Sequence, residues 1–152
     1  MPEPSLSSTG QSVRALVYDK FISSQRPLTP WEIAQELGTQ TMVAEEALRE
    51  LAAAKCLVLR EGTCAIRMAM PFSTDPTPFR VTAGNRTWFA NCAWDALGIS
   101  SVVQEPTRVH SACAQTGEEM VLDVSDSKLD GPQPVVHFAI PASQWWDDIV
   151  FT

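Results

Sequence analysis

At 152 residues the chain is long enough to bury a core, as one domain or two small ones. A hydrophobic share of 45% is ordinary for a globular protein, and no apolar run is long enough to cross a bilayer. With 11 Lys and Arg against 18 Asp and Glu, the formal charge of −7 excludes a general attraction to nucleic-acid phosphate.

Residues 1–11 read as a flexible tail. The opening MPEPSLSSTG lacks the basic start and apolar stretch of a secretory signal, so the cytoplasm is the expected compartment. Residues 12–70 follow as a small helical unit ending in a hairpin. Val13, Leu16, Val17 and Phe21, with the stem of Lys20, form one helical stripe. In LTPWEIAQELG, Thr29 caps a second helix, Pro30 suits its first position, Glu32 completes a capping box and Gly38 closes it. Thr41 is the expected cap of a third helix, with Val43, Ala47, Leu48 and Leu51 inward. KCLVLR and CAIRMAM then flank a turn at Glu61-Gly62-Thr63. Three helices and a hairpin are the order of a winged-helix-like domain. Many such domains bind DNA, yet the third helix carries Glu45, Glu46 and Glu50 against Arg49 and Lys55, a face that repels phosphate. Nucleic acid is not an expected partner.

Residues 71–80, PFSTDPTPFR, hold three prolines and read as an extended linker. Beyond it the pattern changes. Phe79 to Thr82 predicts a strand, Gly84-Asn85 a turn, and Cys92–Leu97 a short helix ended by Gly98. TRVHSAC and EEMVLDVS predict a strand–turn–strand around Ala114–Gly117. VVHFAIP predicts another strand, and SQWWDDIVFT starts a last element. The second half therefore reads as α+β.

The four cysteines, Cys56, Cys64, Cys92 and Cys113, form no CxxC pair, and His110 and His137 lie far apart, so a structural zinc site is poorly supported. Reduced thiols are expected. Cys56 and Cys64 are expected to face each other across the hairpin, packed rather than reactive, while Met68 and Met70 read as core fillers. His137 reads as a core or edge histidine. Trp145 and Trp146 read first as an aromatic core edge, with the mouth of a site as the sharper alternative.

WFANCAWDALGIS is the stretch with chemical content. On a helix, positions three apart share a face, which brings Cys92 and Asp95 together. A carboxylate does not activate a thiol, because negative charge raises the thiol pKa. The pair makes sense if the sulfur meets a soft metal, which drives off its proton, and the carboxylate carries that proton. The bland alternative is a buried cysteine beside an aspartate that caps a neighbouring segment.

Taken together, WFANCAWDALGIS, TRVHSACAQTGEEMVLDVS and VVHFAIPASQWWDD resemble the alkylmercury lyases (organomercurial lyases) through much of residues 71–152. The resemblance implies cleavage of a carbon–mercury bond by protonolysis, with residues 81–152 as an alkylmercury-lyase-like mixed α/β catalytic domain behind a winged-helix-like amino-terminal part. Cys92 would bind mercury and Asp95 would protonate the departing carbon. Cys113 would match a structural cysteine. No organic cofactor is implied; the partners would be an organomercurial substrate and, as mercury acceptor, mercuric reductase or small thiols, with no membrane. The family's second mercury-binding cysteine has no counterpart after Cys113, nor has a further stretch of its carboxyl-terminal region. The catalytic region is thus expected to be incomplete, binding organomercury but cleaving it poorly. Two rivals stand beside the lyase: a non-catalytic soft-metal or organomercurial-binding protein, and a winged-helix transcriptional regulator.

Overall fold

A computed structural model describes residues 5–126, 128–131 and 133–150. The first helix, α1 (Ser8–Ser24), begins inside the segment read from sequence as a tail. Its start is tied down: Ser7 Oγ accepts from the Gly10 amide at 3.0 Å, while the Ser7 amide and hydroxyl donate to Glu50 at 2.6 and 2.7 Å. A Cβ on Gly10 would sit 2.6 Å from that Glu50 carboxylate, so a larger residue there would push the Glu50 side chain away from Ser7. Val13, Val17 and Phe21 face inward as their spacing predicts.

The capping box of α2 (Pro30–Leu37) forms between Thr29 and Glu32, and Gly38 takes the left-handed conformation at φ 63°. Arg26 adds a two-pronged ion pair to Glu32, and these donors hold its carboxyl down to about 2. The third helix, α3 (Thr41–Ala53), is capped one residue earlier than expected, at Gln40, without a side-chain hydrogen bond. It buries Ala44, Ala47, Leu48 and Leu51; Val43, expected inside, is only half-buried.

Eight antiparallel strands form one sheet, in the order β1-β2-β3-β5-β4-β6-β7-β8. The hairpin strands β1 (Val58–Leu59) and β2 (Ile66–Ala69) open it. Within the proline-rich segment, Phe72–Ser73 forms β3, bonded to β2 on one side and to β5 (Arg86–Ala90) on the other. The stretch read as a linker is therefore also a sheet strand, because Phe72 and Ser73 find a partner on both sides. A two-residue turn at Gly84-Asn85 joins β4 (Arg80–Ala83) to β5, with Gly84 at φ 57°. Strands β6 (Thr107–Ala112) and β7 (Glu119–Ser125) pair in register over six positions, as their sequences predict, and β8 (Lys128–Asp130) closes the edge.

Two further expectations fail. Gly98 does not end a helix: α4 runs from Ala93 to Val103, through Gly98, and stops at Gln104 in the left-handed conformation. VVHFAI forms no strand among the described residues, since β8 holds the place beside β7 and Val135 is 92% exposed. The last element is a 3-10 helix over Ala142–Asp147; Phe151 and Thr152 lie outside the described residues.

A single apolar core runs from Val13 and Leu48 in the helices to Val81, Ile99 and Val124 around the sheet. Phe72 is the joint. Its ring stacks on Phe21 at 5.3 Å and tilts against Trp88 at 6.2 Å, and the Trp88 indole N–H donates to the Phe21 carbonyl at 2.6 Å. The result is an α+β fold, with a helical amino-terminal region and a sheet carrying α4. No helix among the described residues is long and apolar enough to cross a membrane.

Candidate active site

Strand β5 ends at Ala90, and Asn91 and Cys92 carry the chain into α4. Cys92 is extended, at φ −148° and ψ 177°, and is the N-cap of the helix: its Sγ accepts from the Asp95 amide at 3.4 Å. The CxxD spacing is therefore that of a cap and the third helical residue, with sulfur where serine or threonine commonly stands. Asp95 lies in the first turn, at the positive end of the helix.

The two groups perturb each other. Burial pushes the Cys92 thiol above its ordinary value and the nearby Asp95 carboxylate adds to the rise, while the Asp95 and Trp94 amides oppose it. Burial likewise raises the Asp95 carboxyl, against hydrogen bonds from Asn91 and Cys92 that lower it. The pair holds its protons more tightly than either group would in water. Asn91 Nδ2 donates to Asp95 Oδ2 at 3.1 Å and approaches the Phe72 carbonyl at 3.4 Å. The other side of that amide, Oδ1, is buried without a partner among the described residues. Sequence reading missed Asn91, whose only signal was adjacency to Cys92.

Cys92, Asp95 and Asn91 line a cavity of about 160 Å³. Met68, Met70, Trp94, Phe138, Trp145, Trp146, Ile149 and Val150 supply the rest of the wall. Met68 and Met70 are two apart on the chain and thus on one side of it, and both reach this space instead of serving only as filler. Trp145 and Trp146 are half-buried and line this cavity.

The remaining sequence candidates lie elsewhere. Cys113 follows β6 in the turn into β7, where hydrogen bonds from Thr116 and from the Thr116 and Gln115 amides pull its thiol below the usual range. It does not line the cavity. Cys56 and Cys64 do not oppose one another, because Val58 pairs with Met68 and Leu59 with Ile66. All four thiols are free. His137 is exposed rather than a core residue, and His110 is half-buried on β6. Among the described residues no three His, Cys, Asp or Glu side chains cluster as metal ligands.

The sequence model of the alkylmercury lyase family matches residues 72–152. Among solved structures, the mercury-bound form of MerB2 superposes with a TM-score of 0.67 and 25% sequence identity. The aligned region takes in 83% of this chain and 60% of that one, so this chain spans less than two thirds of its relative. A comparison with curated proteins finds no match.

Proposed function

Since the chain belongs to the alkylmercury lyase family, we propose that it cleaves carbon–mercury bonds by protonolysis, with Cys92 binding mercury and Asp95 carrying the proton. The observation that supports this is that Cys92 and Asp95 both line one largely apolar cavity, with the Asp95 amide donating to the Cys92 sulfur. In the first step an organomercurial R–Hg–X exchanges X for the Cys92 sulfur. The thiol proton passes to the Asp95 carboxylate and X leaves as an anion. Mercury is soft and favours thiolate over harder ligands.

In the second step the protonated carboxyl gives its proton to carbon. The electron pair of the carbon–mercury bond takes that proton, releasing R–H, and a small thiolate from solution becomes the second sulfur on mercury. Asp95 returns to carboxylate, and charge and atoms balance in both steps. The raised carboxyl pKa suits the task, because an acid that keeps its proton nearer neutrality is loaded at the moment of transfer. Small thiols or mercuric reductase then accept the ion. Residues 12–70 are read as a winged-helix-like unit and 71–80 as the joint to a catalytic region, in a cytoplasmic protein.

Phenylmercury or methylmercury should yield benzene or methane, measured by gas chromatography. Asp95→Asn should slow release at least about 100-fold while mercury stays bound, and Cys92→Ser should lose both in a chain that also carries Cys56→Ser, Cys64→Ser and Cys113→Ser. One observation favours a second reading, a non-catalytic binder: no cysteine besides Cys92 lines the cavity among the described residues. Stoichiometric mercury with no hydrocarbon would establish that binder instead.

A further inference from the structure

We infer that the cavity beside Cys92 is shaped for an aryl group, so that the site selects arylmercurials of phenyl size over methylmercury. The inference rests on mercury binding at Cys92 and adds to it the identity of the organic group. Its first support is size. The cavity measures about 160 Å³, and an apolar protein cavity of about 150 Å³ takes up a benzene ring. A methyl group would leave most of that wall without contacts, and dispersion attraction is lost wherever a partner atom is missing.

The second support is how the lining is divided. Cys92, Asp95 and Asn91 stand together, while Trp145, Trp146 and Phe138 contribute aromatic surface and Met68 and Met70 contribute polarizable thioethers. An organic group on mercury at that sulfur would share the cavity with these aromatic side chains, which favour a ring placed edge-on or offset against them.

The third support is that the walls are held without a ligand. Phe138 and Trp145 pack with ring centroids 5.0 Å apart, and the Trp145 indole N–H donates to the Ile140 carbonyl at 3.2 Å. The Lys55 ammonium lies 5.4 Å from the Trp146 ring centre. The Tyr18 hydroxyl fixes the Met70 backbone by donating to its carbonyl at 2.9 Å. A wall already ordered loses less freedom when the ring arrives.

The test is thiol exchange on the full chain carrying Asp95→Asn, which blocks cleavage, together with Cys56→Ser, Cys64→Ser and Cys113→Ser, so that Cys92 is the one remaining sulfhydryl. Phenylmercury or methylmercury is loaded at one equivalent and displaced with glutathione, and the retained fraction is read by mass spectrometry. Both compounds exchange one thiolate for another, so the intrinsic mercury–sulfur bond cancels and the ratio reports contacts to the organic group. Phenylmercury should require at least about tenfold more glutathione for half-displacement, since even one methylene in an apolar pocket is worth about tenfold or more. Trp145→Ala should erase most of that advantage while leaving methylmercury within about twofold of its former value. Equal retention of the two compounds overturns the inference and leaves mercury binding at Cys92 standing. Loss of neither adduct on adding Cys92→Ser overturns both.

Discussion

Asp95 is a half-buried carboxyl whose proton is held by its surroundings, and this has a measurable effect on stability. Because the folded-state pKa is raised, the native protein binds more protons than the unfolded chain between the ordinary carboxylate value and the raised one. Stability must therefore fall as pH rises through that window, and the charged group costs stability at neutral pH. Asp95→Asn should raise the denaturation midpoint at pH 7, and its advantage over wild type should shrink toward pH 4. Parallel urea titrations at the two values check both signs. A protein that becomes more stable while losing its activity is the expected mark of a side chain held for chemistry. The pairing of Cys92 with Asp95 was legible from three-residue spacing, but the physical relation was not. Sequence suggested two residues on one helical face, whereas the sulfur stands at the cap and receives the Asp95 amide. Cysteine is not a usual cap residue, so cap preferences gave no hint of it.

Helix α4 carries both groups, and its interior holds an unused stabilising opportunity. A Cβ at Gly98 would meet nothing within 4 Å, and the backbone there is not left-handed. Gly98→Ala should stabilise the protein by about 0.5–1 kcal/mol, read by denaturant melts, through helix propensity and a less free unfolded chain. Glycine commonly follows a helix, which is why this one read as a stop. The helix continues because Ile99 and Val103 still bury against the sheet. Elements with local chemical punctuation were legible: the Thr29-Pro30-Glu32 cap and the Gly84-Asn85 turn both form. Those decided by distant partners were not. Phe72–Ser73 became a strand because β2 and β5 flank it, and VVHF did not, although its composition is that of a strand.

At the scale of the whole molecule, Phe72 joins the helical region to the sheet. It is fully buried, stacks on Phe21 of α1 and leans on Trp88 of β5. Phe72→Ala should cost about 3–5 kcal/mol. Because one core serves both regions, circular dichroism and tryptophan fluorescence should report a single shared transition in wild type and variant alike. Two separated transitions would show that the helices and the sheet hold themselves together independently.

Of the five tryptophans, Trp94, Trp145 and Trp146 line the cavity that contains Cys92, whereas Trp88 is sealed in the core and Trp31 sits on α2. A heavy atom quenches nearby indole emission by promoting intersystem crossing, an effect confined to short range. Mercury arriving at Cys92 should dim the three cavity indoles and spare the other two, and Cys92→Ser should abolish that loss. On the binding proposed for Cys92, these three indoles would serve as an optical gauge of occupancy, so that loading could be followed in real time without a dye or a label.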